Sequence, residues 1–243
     1  MYDGVLKIQK SKQAEILGYA DDLAVVVVCK TMQEVAQVAE DTISRIKRWM
    51  YAAGLELADQ KTELLLISSR KKVESLQIRV GGHLVNLSES IKYLGVMLDR
   101  RLSFKHHINY ASSKAAKTCM ALLRLTPNAR GPKSSTRSLL TSVCSSTLTY
   151  AAQVWGAASI YPSYMKEAMR VYRLYNLRII CAYRTVSDDA AGVLAGRVPI
   201  DIQLRKLNRL YENSKGNGDA DSSVPVLVIL LTWKNGSKDG TTA

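Results

Sequence analysis

The chain has 243 residues, 47% of them hydrophobic, which suffices for one large domain or two small ones with a true core. Lys and Arg number 34 against 21 Asp and Glu, a net charge of +13 that points to a polyanionic partner, most often nucleic acid. Four scattered cysteines (Cys29, Cys119, Cys144, Cys181) show no CxxC or Cys/His spacing, so neither a zinc site nor a disulfide framework is indicated, and three of the four lie in apolar patterns that read as buried thiols.

The charge is unevenly placed. Residues 1–99 carry 13 basic and 13 acidic residues, whereas residues 100–166 carry 10 basic and no acidic ones. A solubilising surface mixes its signs, so this one-sign stretch reads as an electrostatic footprint for nucleic acid. The N-terminus, MYDGVLKIQKSK, has no apolar core of a secretory leader. PVLVILLTW near the C-terminus is far shorter than the ~20 residues a membrane-spanning helix needs, so no membrane and an intracellular setting are expected.

In chain order, Ile16–Tyr19 and Leu23–Val28 predict a hairpin with Asp21 and Asp22 at its turn. Thr31 and Glu34 form a capping-box pattern that opens a helix running to about Ala53, with Gly54 placed to end it. Leu64–Ile67 predicts a strand. Leu76–Val80 and Leu84–Leu87, around Gly81-Gly82-His83, predict a second hairpin, and Tyr93–Leu98 a strand pair centred on Gly95. From His106 the texture turns helical: 106–125, 132–154, 164–183, 186–195 and 199–211, punctuated by Pro127, Gly131 and Pro162. His106 and His107 read as surface residues near phosphate. Tyr161, Tyr164, Tyr172, Tyr175 and Tyr183 either stack on bases or fill a core. Residues 214–223 are a polar linker, and 224–233 an orphan strand-like run.

Two adjacent carboxylates ahead of a buried strand are costly unless a cation offsets them, and a divalent ion taking oxygens from Asp and substrate phosphate would do so. An Asx-type turn is the plainer reading of two Asp residues alone. The order of the surrounding motifs favours the first. Tyr19-Ala20-Asp21-Asp22, then Gly54-Leu55-Glu56-Leu57, Lys61-Thr62-Glu63 with Leu64–Ile67, and Ile91-Lys92-Tyr93-Leu94-Gly95-Val96 succeed one another as in the reverse transcriptases of non-LTR (LINE-type) retrotransposons. Tyr150–Trp155 and Val198-Pro199-Ile200-Asp201 resemble the downstream segments of insect elements, so the resemblance covers about residues 2–211.

The resemblance implies an α+β fold: a partial polymerase palm over 1–103, antiparallel strands with one long helix, then an all-α, thumb-like region over 104–213. Residues 214–243 are left as an unmatched, disordered tail. It implies RNA-directed DNA polymerase chemistry with Mg²⁺ or Mn²⁺, an RNA template, a DNA primer and dNTPs, with the nucleus expected for the parent element and the cytoplasm as the alternative. Asp21 would be a direct metal ligand and Asp22 its support. Lys61 would approach the triphosphate and protonate or neutralise the leaving group. Tyr19 would lie against the primer end or nucleotide, and Tyr93, Leu94 and Gly95 would position the primer. Arg100, Arg101, Lys105, Lys114, Lys117, Arg124, Arg130, Lys133 and Arg137 would hold the nucleic-acid backbone. The family's site needs a third carboxylate from an upstream strand, and Asp3 and Glu15 do not fit its pattern. The chain alone is therefore expected not to polymerise DNA. The competing expectation is a non-specific nucleic-acid-binding remnant or scaffold.

Overall fold

The structure is a computed structural model that describes residues 3–68, 76–127, 131–214 and 225–235. It is α+β and divides into two compact units, Met1–Leu102 with Ala220–Ala243, and Ser103–Asp219.

The first unit opens with one turn of helix, α1 (Asp3–Leu6), and a hairpin of β1 (Ala14–Tyr19) and β2 (Asp22–Val28). Next comes α2 (Met32–Ala52). Its start is closed reciprocally: the Glu34 amide donates to Thr31 Oγ1 at 3.3 Å, and the Thr31 amide donates to Glu34 Oε2 at 3.4 Å. Gly54, at φ +72°, takes the left-handed conformation that ends the helix at little steric cost. β3 (Leu55–Leu57), a 3-10 turn (Asp59–Lys61) and β4 (Glu63–Ile67) come next. Two further hairpins pair β5 (Gln77–Val80) with β6 (His83–Asn86), and β7 (Ser90–Tyr93) with β8 (Val96–Asp99).

The central strand of this unit is β9 (Val226–Asn235). It runs antiparallel to β2 on one side, from Asp22↔Thr232 to Val28↔Val226, and to β4 and β3 on the other. This corrects the expectation of a disordered tail over 214–243: of the described residues there, 225–235 supply the middle of the sheet. The reason lies in the pattern of the run. Leu227, Ile229 and Leu231 face one core, with Leu23, Val25, Val27, Leu64 and Leu66 beside them and Val35, Ala39, Ile43, Ile46 and Met50 of α2 above. Val228 faces a second, smaller core with Leu65 and Ile91. A strand apolar on both faces is stable only at the centre of a covered sheet. A segment read without its neighbours cannot reveal them.

The second unit is helical: α3 (Lys105–Arg124), α4 (Ser134–Thr149), α5 (Ala152–Trp155), a 3-10 turn (Gly156–Ile160), α6 (Pro162–Ile179), α7 (Asp188–Leu194) and α8 (Ile200–Ser214). Where one helix was expected over 132–154, the chain breaks between α4 and α5. Ala151 sits at φ +53°, and the buried Trp155 donates its Nε1–H to the Tyr150 carbonyl at 2.8 Å. The break seats the indole in the core, edge-on to His107 with ring centres 5.4 Å apart.

Candidate functional site

The β1–β2 turn is two residues, Ala20 and Asp21, with Ala20 at φ +51°. A non-glycine residue in that region costs ~1 kcal/mol or more, so the hairpin pairing overrides a local preference. Closing the turn sets Tyr19 directly opposite Asp22, and the β2–β9 register sets Thr232 opposite Asp22 on the other side. Since successive side chains alternate faces, Tyr19, Asp22, Thr232, Leu230 and Glu63 share the face away from α2.

A pocket of about 90 Å³ opens on that face. Asp22 and Glu63 supply carboxylates to its wall, Lys61 and Lys92 ammonium groups, and Tyr93 a phenol ring, while Leu230, Leu231 and Thr232 of β9 complete it. Thus four residues spread over more than 70 positions, Asp22, Lys61, Lys92 and Tyr93, meet at one cavity. Lys61 reaches it as the last residue of the 3-10 turn, which the Lys61 amide closes by donating to the Ala58 carbonyl at 2.8 Å. The Ala58 amide donates to the Thr232 carbonyl at 2.8 Å, tying that turn to β9.

Of the residues expected at the site, Asp22, Lys61 and Tyr93 line the pocket, and Tyr19, 64% exposed, stands beside Asp22 across the hairpin. Asp21 lies exposed in the turn and is not among the lining residues, so of the adjacent acidic pair it is Asp22 that lines the cavity. Leu94 and Gly95 form the β7–β8 turn at φ +45° and +83°, the left-handed pair that a two-residue hairpin requires. Three polar lining residues had no role assigned from sequence. Glu63 and Lys92 sit inside the KTE and IKYLG stretches, where adjacency to the quoted motifs was the available signal. Thr232 carried none, because it meets Asp22 only through the register of β9.

A divalent metal does not find a full set of ligands here. Asp22 and Glu63 are the pocket's carboxylates, two lysines share the space, and no group of three or more His, Cys, Asp or Glu among the described residues is placed to hold a metal.

In the helical unit, Lys105, Lys114, Lys117, Arg124 and Lys133 are exposed. Arg101 is exposed and Arg100 half-buried at the end of the first unit, and Arg130 lies outside the described residues. On α3 the exposed His106, Lys117 and Arg124 fall on the side opposite Ile108, Ala115 and Cys119, which are buried, as 100° per residue dictates. Arg137 departs from the expected backbone contact. It is 2% exposed, and its guanidinium donates to the carbonyls of Pro132 (2.8 Å), Thr126 (3.1 Å), Pro127 (2.6 Å) and Arg178 (3.4 Å). Five rigidly forked donors can satisfy several loop carbonyls at once, which makes it a structural clasp.

His107 likewise corrects a surface expectation. It is buried against Trp155, and burial lowers its pKa to about 4. Tyr172 and Tyr175 are core residues, the Tyr172 hydroxyl donating to the Val198 carbonyl, and burial raises both phenol pKa values. Tyr161 and Tyr183 remain exposed. Cys29, Cys119 and Cys144 are buried thiols and Cys181 is exposed. A hydrogen bond with Cys144 and burial hold the Cys119 thiol above its ordinary range, while the same bond lowers Cys144. No described helix is long and apolar enough to cross a membrane.

Comparison with known proteins adds a second line of observation. The chain is 28% identical over 229 residues to the Retrovirus-related Pol polyprotein from type-1 retrotransposable element R1 4 of Nasonia vitripennis, covering 87% of this chain and 57% of that protein. It is 23% identical over 205 residues to the corresponding R1 polyprotein of Bradysia coprophila, covering 83% of this chain and 20% of that protein. Over 145 residues it is 23% identical to the RNA-directed DNA polymerase from mobile element jockey of Drosophila melanogaster, covering 59% of this chain and 16% of that protein. The chain therefore spans little more than half of the first of these relatives and less of the others. No family profile and no solved structure matches it.

Proposed function

We propose, for a chain related to the Pol polyproteins of insect non-LTR retrotransposons, that it is part of an RNA-directed DNA polymerase. The first unit contributes one wall of the nucleotidyl-transfer site, as part of a palm, and the helical unit holds the template–primer backbone as a thumb. The observation that carries this reading is the meeting of Asp22, Lys61, Lys92 and Tyr93 at one pocket. Lys61 and Lys92 there can neutralise phosphate charge, which favours a negatively charged transition state. Tyr19 and Tyr93 offer ring faces for a base or sugar at the same end of the sheet. The exposed basic side chains of α3 and its surroundings hold phosphate without reading sequence.

The divalent metal that this chemistry uses needs ligands beyond Asp22 and Glu63, so the 243-residue chain by itself does not extend a primer. The test is primer extension on an RNA template with Mg²⁺ or Mn²⁺. No extension is expected. Extension that Asp22→Ala abolishes refutes the claim of incompleteness. The second reading, a nucleic-acid-binding scaffold, draws on the exposed basic residues alone. It gains if Lys61→Ala and Lys92→Ala leave binding of primer–template and of dNTP unchanged.

A further inference from the structure

We infer that position 232 decides whether the acidic end of the central sheet can hold a divalent cation, and that Thr232 withholds one. The choice of pocket rests on the polymerase reading; the geometry does not. Register gives Asp22 two directly opposed neighbours on its own face, Tyr19 of β1 and Thr232 of β9. Directly opposed residues carry Cβ atoms about 4.5–5.5 Å apart. That is the span over which two carboxylates reach one cation with oxygen bonds of about 2.0–2.6 Å.

Glu63 cannot serve in that way. It pairs with Leu230, two residues along β9 from Thr232 and on the strand beyond it. Two strand spacings and two residues of stagger put its Cα about 12 Å from that of Asp22. Lys61 and Lys92 line the same cavity, and ammonium groups oppose a bare cation. Asp21 does not line the cavity. Among the described residues, the positions directly opposed to Asp22 on its own face are 19 and 232, where Tyr and Thr stand.

The residue at 232 is not exchangeable by slippage of β9. A shift of one residue would turn Leu227, Ile229 and Leu231 out of the larger core and flip every side chain of the strand. The pocket as built is one in which two carboxylates and two ammonium groups balance. It suits a phosphate held by the lysines better than a free metal ion.

The test measures Mn²⁺ binding by loss of the free-ion electron paramagnetic resonance signal, with no polymerase activity required. The full chain, T232D, the double variant D22N/T232D, and V28D as a carboxylate placed on the same face at the far end of β2 are compared. T232D is expected to bind Mn²⁺ at least tenfold more tightly than the unaltered chain, D22N/T232D to lose the gain, and V28D to show none. T232E carries the same charge on a longer arm if T232D fails to fold, as judged by amide protection of β2 and β9. Unaltered chain that binds as tightly as T232D overturns the inference. So does a folded T232D or T232E that gains no more than V28D. Because the readout is metal alone, a failure of the polymerase reading in primer extension leaves this result standing, and the reverse.

Discussion

Ending the chain at Ser214 removes a segment that looks dispensable in the sequence and is central in the fold. β9 buries Leu227, Val228, Ile229 and Leu231. Each such side chain contributes about 1.5–3 kcal/mol on burial, so the four together supply about 6–12 kcal/mol. A whole domain is typically stable by only about 5–15 kcal/mol. Removal also strips the ladders from β2 and β4 and exposes Leu23, Val25, Val27, Leu64 and Leu66 along two bare edges. The first unit should therefore lose its cooperative fold, while α3 to α8, a separate compact unit, should keep theirs. Hydrogen exchange read by mass spectrometry tests this peptide by peptide. Amides of β1, β2 and β4 should exchange at near-unfolded rates in the shortened chain, with α3 and α6 still protected. A shortened chain whose β2 and β4 amides exchange as slowly as those of the full chain would refute the reasoning. The milder Ile229→Ala should cost about 2–4 kcal/mol in urea denaturation and leave the fold in place.

Three further outcomes are expected. Arg137→Ala should destabilise the helical unit by about 2–5 kcal/mol, because the loop carbonyls of Thr126, Pro127 and Pro132 lose a charged donor, and Arg137→Lys should recover less than half, as seen by thermal melting. Stability of the same unit should fall as pH drops from the ordinary histidine range toward 4. The folded His107 pKa of about 4 lies below its unfolded value, so the proton prefers the unfolded chain; stability is full above about 6.5, and His107→Phe should flatten a melting-temperature-against-pH curve. Lys114→Gln with Lys117→Gln should lower the slope of log binding constant against log salt by about two on duplex nucleic acid, at about 0.9 per phosphate contact. An unchanged slope would remove α3 from the interface.

The elements legible in the sequence are those whose cause is local. Thr31 and Glu34 close the start of α2 because both partners lie within one turn. The apolar spacing of Val35, Ala39, Ile43, Ile46 and Met50 marks the face that the helix buries. The hairpins around Ala20-Asp21 and Leu94-Gly95 arise from a two-residue turn between alternating strands. The relation to retrotransposon Pol polyproteins was legible for the same reason, since YADD, KTE and YLG are short contiguous runs of this chain, read in order without reference to the fold.

Tertiary structure decided the partnerships between residues far apart in the chain. Lys105 and Arg137 look alike in sequence, yet one is exposed and the other is enclosed by four carbonyls from two segments that close around it. His106 and His107 are adjacent, and 100° of helical rotation sends one to solvent and the other against Trp155. Composition and periodicity by themselves predicted strands with one long helix around an acidic hairpin, followed by a basic helical stretch. The neighbour of Asp22 was settled elsewhere: a strand more than 200 residues away pairs beside it, because burying both faces of β9 outweighs the entropy of closing so long a loop, which grows only with the logarithm of its length.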